Sequence, residues 1–298
     1  MDNIIEVRNL DKSYGKTQVL FNVNLAVKRG ECLGIVGGNG AGKTTLLECI
    51  EGIRRWQKGD ILIDGLTIED NTGHLRGILG VQLQSSSLPG EIKVKEALEL
   101  FAVEHDTAIE EKLYDELDVR QLLNKQYGKL STGQKRRLHL LLAILHNPNI
   151  IILDEPTAGL DVNSKHLLYT KINELKVKGK TILLTSHDMY EIENLCDRVI
   201  FIDKGRISKE LSQESLLEKD RHIVAISSQK NSLSSVNTMY SKLTEEKDRE
   251  YFFECSNINA CINELLGLLT AQNDQITNIY IKKKTIEGEL TKMMRGDQ

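Results

Sequence analysis

The chain has 298 residues, 28% charged and 40% hydrophobic, the mix of a soluble globular protein. Its 39 basic and 43 acidic residues leave a net charge of −4, which argues against a main affinity built on a global nucleic-acid field, and no nucleic-acid partner is expected. Three prolines and 22 glycines argue against a disordered Pro/Gly-rich chain, and five cysteines without a C-x-x-C pair read as mostly buried thiols of a reducing compartment.

Met1 to Glu6 shows no basic segment followed by an apolar one, so no signal peptide is expected. Leu138 to Leu145, the densest apolar stretch, contains His139 and is far too short to span a bilayer. Any membrane role is therefore expected to be peripheral. Ile4 to Leu10 begins as a short strand, and turns follow at Gly15-Lys16 and Lys28-Arg29-Gly30. Cys32 to Val36 reads as a buried strand, Gly37 to Gly42 as a loop, and Lys43 to Glu51 as a helix with Gly52 at its C-terminal end. Residues 54–80 look like short strands punctuated by Gly59, Gly65 and Gly73. Residues 91–127 read as helices, with Val94, Ala97, Leu98 and Phe101 on one face. A further helix spans Leu138 to His146 and stops near Asn147-Pro148.

Ile150 to Leu153 and Thr181 to Thr185 are short apolar strands, with a helix over Leu167 to Leu175 between them and another over Tyr190 to Asp197. Alternating helices and apolar strands predict an α/β fold with a mostly parallel sheet covered on both faces. Beyond about residue 210 the composition changes. Residues 227–239 are rich in Ser and Asn. Strand candidates lie at His222 to Ile226, Glu250 to Cys255 and Ile276 to Ile281, with an amphipathic helix over Asn257 to Leu269. The expected division is a nucleotide-binding domain over 1–210, with a helical subdomain at about 85–145, and a small α+β accessory domain over 211–298.

Gly37-Gly38-Asn39-Gly40-Ala41-Gly42-Lys43-Thr44 matches G-x-x-x-x-G-K-[ST], after a predicted strand and at the opening of a helix. The glycines let backbone N–H groups wrap around phosphates, and the helix N-terminus adds positive potential. Lys43 is expected to reach the β- and γ-phosphates and Thr44 to ligate Mg²⁺. Ile150 to Leu153 delivers Asp154-Glu155 at the carboxyl end of a buried strand, where open α/β sheets bind ligands. Asp154 suits the metal, and Glu155 suits a water in line with the γ-phosphate. Ser186-His187-Asp188 follows the last buried strand. His187 either contacts the γ-phosphate or sits in a simple helix cap formed by Ser186 or Asp188, and both can hold.

With Leu130-Ser131-Thr132-Gly133-Gln134 lying between that loop and Asp154-Glu155, the chain resembles the ATP-binding subunit of ATP-binding-cassette (ABC) transporters. The segment is similar to the family's Leu-Ser-Gly-Gly-Gln signature. The resemblance covers 1–210 well and the remainder weakly, and it implies a P-loop NTPase fold. It further implies that Tyr14 stacks on adenine, that 37–44 and Thr45 bind ATP, and that Gln84 touches Mg²⁺ and the attacking water. Gln82 competes for that role. Glu155 corresponds to the catalytic base and His187 to the γ-phosphate sensor. Ser131, Gly133 and Gln134 correspond to contacts with ATP held by a second copy, and Asp161 lies in a loop, Ala158 to Asp161, that crosses the dimer interface. Gly38 stands where the family commonly has proline, and Thr132 replaces the first signature glycine.

The implied activity is ATP hydrolysis in an ATP-sandwich homodimer. It would power separately encoded membrane-spanning permease subunits at the cytoplasmic face of the cell membrane. Export of drugs, peptides or lipid-like substrates is the expected direction. Lys282-Lys283-Lys284 reads as a solvated strand end rather than a lipid contact. The alternatives are a soluble ABC-type ATPase of translation or DNA repair, and an ATP-gated regulator. No heptad run or Cys pair lies between Lys43 and Leu130, as a repair-type insertion requires, and there is no second ATPase unit.

Overall fold

The computed structural model describes residues 3–68, 72–82, 87–212, 222–230, 232–234, 236 and 238–283. The chain divides into two compact units, Met1–Gln213 and Glu214–Gln298.

The first unit contains two sheets. Three of its strands are buried at every position: β3 (Cys32–Val36), β7 (Ile150–Asp154) and β8 (Thr181–Thr185). Continuous apolar runs of this kind belong inside a parallel sheet with both faces covered. They lie at the centre of a six-stranded sheet of order β10-β9-β3-β8-β7-β6, with β6 at Leu79–Gln82, β9 at Arg198–Asp203 and β10 at Arg206–Ser212. Every pairing in it is parallel except β9 with β10. The sheet is therefore mostly parallel, as the sequence predicts.

The second sheet is antiparallel and was not foreseen. Its order is β2-β1-β4-β5, where β1 is Asn3–Tyr14, β2 Thr17–Lys28, β4 Lys58–Ile63 and β5 Leu66–Thr67. The short strand expected near Ile4 is thus 12 residues long. Bulged pairing with β2 carries it past the polar stretch after Leu10. One apolar core unites Ile5, Val7 and Leu10 of β1, Leu33 and Ile35 of β3, and Leu46, Leu47 and Ile50 of α1 (Lys43–Ile50). Each such side chain contributes about 1.5–3 kcal/mol on burial. This packing holds the helix behind the glycine loop in place.

Six further helices complete the unit: α2 (Thr72–Ile78), α3 (Val94–Glu104), α4 (Lys112–Glu116), α5 (Thr132–Ile144), α6 (Val162–Val177) and α7 (Met189–Leu195). Within the segment expected to be strands, α2 is a departure. Between α4 and α5 the expected helix breaks into two 3₁₀ turns, Arg120–Leu122 and Tyr127–Lys129. The helix expected from Leu138 begins at Thr132, because Ser131 caps it.

The second unit is a four-stranded antiparallel sheet of order β12-β13-β11-β14, with β11 at His222–Ser228, β12 at Lys242–Lys247, β13 at Glu250–Cys255 and β14 at Ile276–Lys283. Helix α8 (Ile258–Ala271) shares a core with it through Val224, Ile226, Tyr251, Phe253, Cys261, Leu265 and Leu269. The charged edge strand β12 escaped sequence reading. All five cysteines are buried free thiols.

Candidate functional site

The glycine loop leaves the end of β3 and feeds α1. A Cβ on Gly37 would lie 2.3 Å from the Ile202 carbonyl oxygen, and Gly42 has φ +108. Neither position accepts another residue without backbone movement. Asn39 and Gly40 face solvent, while Ala41 and Lys43 are buried and Thr45 is half-buried. The Lys43 ammonium donates to the carbonyls of Gly37 at 2.8 Å and Gly38 at 3.2 Å. Burial lowers its pKa, and the carboxylates of Glu155 and Asp154 oppose that.

Asp154 ends β7 and is 1% exposed. Its Oδ2 accepts from the Thr44 hydroxyl at 2.9 Å, and its Oδ1 accepts from the Thr185 hydroxyl. Glu155 has φ +48, in the left-handed region that non-glycine residues avoid. Its N–H donates to Thr185, to the hydroxyl at 2.9 Å and the carbonyl at 3.2 Å. Its Oε1 lies 2.5 Å from His187 Nε2. Thr44, Asp154, Thr185, Glu155 and His187 thus form one continuous polar chain at the carboxyl ends of β7 and β8. Asp188 caps α7 by accepting from the Tyr190 N–H, which is the helix-cap reading of this segment.

Thr185 is the member that sequence reading missed. Its signal was a hydroxyl closing an otherwise apolar strand directly before Ser186-His187. No group of three or more His, Cys, Asp or Glu able to hold a metal occurs among the described residues. The Thr44 hydroxyl and Asp154 carboxylate are hard oxygen donors next to a phosphate loop. They suit Mg²⁺, which takes few protein ligands and completes its shell with water and phosphate oxygens.

Tyr14 ends β1 and is 42% exposed. Its hydroxyl donates to Glu48 of α1 at 3.4 Å, which ties the ring to the helix behind the glycine loop. The Lys12 ammonium lies 4.6 Å from the ring centroid and the Arg54 guanidinium 6.0 Å. Sequence reading missed both cations, which lie apart along the chain and meet only at the ring. Ser131 and Gln134 form a capping box at the start of α5: Gln134 N–H donates to Ser131 Oγ at 3.3 Å and Ser131 N–H to Gln134 Oε1 at 3.0 Å. A Cβ on Gly133 would lie 3.0 Å from Ser164 Oγ, so this segment packs on the start of α6. There Asp161 caps the helix, accepting from Ser164 N–H at 2.9 Å and Oγ at 3.1 Å. Those bonds lower its pKa.

The structure joins Tyr14, the loop, Asp154, Glu155 and His187 through α1 and the sheet edge. It places Ser131, Gly133 and Gln134 with the Asp161 segment instead. Gln84 and Lys284 lie outside the described residues. Gln82 ends β6, paired with Leu153, and is 1% exposed. Its amide has no hydrogen-bond partner among the described residues.

The ABC transporter family model matches residues 20–158. The Nod factor export ATP-binding protein I of Burkholderia orbicola is 36% identical over 222 residues, covering 72% of this chain and 73% of that protein. That of Sinorhizobium fredii is 36% identical over 224 residues, covering 73% and 65%. A solved ATP-binding subunit of an ABC transporter aligns with TM-score 0.67 and 29% identity over 71% of this chain and 90% of its own. A dimeric ATP-binding cassette in a post-hydrolysis state, bound to ADP and Pi, aligns with TM-score 0.64 and 25% identity over 70% and 98%. The fold, the loop-to-carboxylate polar chain and these likenesses converge: the chain belongs to the ABC transporter family, as one of its ATP-binding, ATP-hydrolysing subunits.

Proposed function

We propose that the chain hydrolyses Mg²⁺-ATP as one half of a homodimer that closes around two nucleotides, and so powers export through separately encoded membrane-spanning permease subunits. The observation that carries this reading is the polar chain from Thr44 through Asp154 and Thr185 to Glu155 and His187.

The N–H groups of 37–44 and the start of α1 cradle the phosphates. Lys43 exchanges its loop carbonyls for phosphate oxygens, a move of one flexible side chain. Thr44 and Asp154 would hold Mg²⁺, with Gln84 as a third ligand, and the bound ion would supply neutralisation of phosphate charge. Thr185 fixes both carboxylate residues, one by its hydroxyl and the other by its acceptor oxygens. Glu155 takes the proton of the attacking water, and His187 orients Glu155 and senses the γ-phosphate. Tyr14 stacks on adenine, with Lys12 and Arg54 at its ring, and Thr45 completes the nucleotide contacts. Ser131, Gly133 and Gln134 serve the nucleotide bound by the other copy, and Asp161 lies at the contact between copies. Such a dimer is self-complementary, so each copy completes the other's site.

The relatives' names support the outward direction, since they are export ATP-binding proteins. Among the described residues no helix is long and apolar enough to cross a membrane. The attachment proposed here is peripheral, at the cytoplasmic face, through the permease subunits. Glu155→Gln is expected to slow hydrolysis about 100-fold or more while sparing ATP binding and trapping a dimer on size exclusion with light scattering. Lys43→Ala is expected to lose both binding and turnover. Hydrolysis by Glu155→Gln at the wild-type rate would remove Glu155 from the role.

A further inference from the structure

Two loops of the site meet at a carboxyl group that the mechanism above does not use. Glu191 of α7 is 0% exposed. Its Oε2 accepts from the Thr157 hydroxyl at 3.0 Å and from the Ser186 hydroxyl. Ser186 Oγ in turn accepts from the Asp188 N–H at 2.9 Å. Thr157 stands two residues after Glu155 and directly before Ala158 to Asp161, and its carbonyl accepts from the Leu160 N–H at 3.2 Å. Ser186 stands directly before His187. One carboxyl oxygen therefore joins the segment carrying Glu155 and the dimer-facing loop to the segment carrying His187.

A carboxyl is a costly way to pack a helix. An apolar side chain of that size fills the same space without loss of hydration. What the carboxyl adds is an oxygen able to accept from two hydroxyls on two separate loops. The groups facing it are Asp188, Lys165, Tyr169 and Cys196. Lys165 is already paired with Asp188 at 2.7 Å. Burial pushes the Glu191 carboxyl up to about 7, with the two hydroxyls opposing. Both hydroxyls donate to one oxygen, so an amide carbonyl at this position presents nearly the same acceptor.

We propose that Glu191 is a positioning residue that sets the distance between the Thr157 loop and the Ser186–His187 loop. Seating of a second copy on Ala158 to Asp161 is thereby passed to the Glu155–His187 pair. The inference rests on the dimer reading. It makes Glu191 the coupling between partner engagement and the reacting groups rather than a ligand of either.

The test uses the full chain with Glu191→Ala, Glu191→Gln and Thr157→Val. Glu191→Ala is expected to lower kcat about 10- to 100-fold, the cost of misplacing reacting groups. Its dissociation constant for ATP should change less than about threefold, since the phosphate loop is untouched. Glu191→Gln is expected to restore kcat to within about threefold of wild type, because it keeps the acceptor oxygen. Thr157→Val alone should lower kcat, and adding it to Glu191→Ala should cost little more, as groups sharing one interaction are not additive. Amide exchange should speed up at 158–161 in Glu191→Ala and stay unchanged at 37–44. Wild-type kcat in Glu191→Ala overturns the proposal. So does a parallel loss of ATP affinity, kcat and Tm, which would mark Glu191 as packing only. The dimer reading is scored separately by Glu155→Gln with intact Glu191, which must form an ATP-dependent dimer on size exclusion with light scattering; its absence would sink that reading whatever the Glu191 variants do.

Discussion

Glu51 directly follows α1 as its C-cap residue, with both carboxyl oxygens buried and no hydrogen-bond partner among the described residues. Burial, then the carboxylates of Asp154 and Glu48, push its pKa from 4.5 up to about 8. The unfolded chain releases this proton at lower pH than the folded one, so stability falls as pH rises between those two values. A pKa difference of one corresponds to about 1.4 kcal/mol. Glu51→Gln, which has no charge to bury, is therefore expected to raise Tm by about 4 °C or more at pH 8 and by much less at pH 5. An equal change at both pH values would show that ionisation is not the cause. Tyr14 is a surface counterpart. Stacking of a base on an aromatic ring is worth about 1–3 kcal/mol, so Tyr14→Ala should raise the KM for ATP about 10-fold and Tyr14→Phe should leave it near wild type. Lys43, Thr44, Asp154 and Glu155 were legible in the sequence because each is fixed by its place beside a glycine loop or at a strand end. Thr185, Lys12, Arg54 and Glu191 were not. Thr185, Arg54 and Glu191 make their contacts with segments distant along the chain, and Lys12 meets the Tyr14 ring within β1, but nothing in their local sequence marks any of them.

Three helices begin on side chains that sequence reading had assigned to the site or its flanks: Ser131 for α5, Asp161 for α6 and Asp188 for α7. Capping and ligand contact compete for the same oxygen, and substitution can separate them. Ser131→Ala removes the cap and is expected to cost about 1 kcal/mol, seen as a Tm loss of a few degrees. Ser131→Asp keeps a good capping oxygen and should hold Tm within about 1 °C of wild type, yet place a negative charge where phosphate is expected. ATPase activity that falls about 10-fold or more in Ser131→Asp assigns the residue to the nucleotide. Activity that follows Tm in both variants assigns it to the helix alone. The Ser131-x-x-Gln134 capping box was itself a readable start signal for α5, yet the apolar run from Leu138 drew the boundary too late. In α2, Gly73 and Gly77 lower helix propensity, so tertiary packing decides the segment. In β12, Lys242, Glu245, Glu246 and Lys247 give the charged profile of an edge strand and little apolar alternation. The strands β3, β7 and β8 were legible for the opposite reason, since burial on both faces admits only apolar runs.

At the scale of the molecule, each unit owns a separate apolar core. The second unit also has its own polar anchor in Asp274, which is buried. Its carboxylate accepts from the hydroxyls of Ser228 and Ser232, each at 2.7 Å, and from the N–H groups of Lys230 at 2.8 Å and Ser232 at 3.2 Å. Burial acts to raise its pKa, and these four donors more than reverse that, holding it well below the usual carboxylate range. The stability it provides is present above the unfolded carboxylate range near pH 4 and is lost as pH falls through the folded value. A chain built on two cores should unfold in two calorimetric steps, and each step should respond to its own perturbation. ATP with Mg²⁺ at 100 times its Kd adds about 2.7 kcal/mol to whatever binds it. In a unit of this size that is a shift of roughly 5–10 °C. The shift belongs to the first unit, which holds the phosphate loop, and the other step should stay where it is. Asp274→Ala should do the reverse, lowering the second unit's step at pH 7 and leaving both the ATP-responsive step and ATPase activity unchanged. A single transition that moves as one under both perturbations would mean that the two cores fold as one cooperative body.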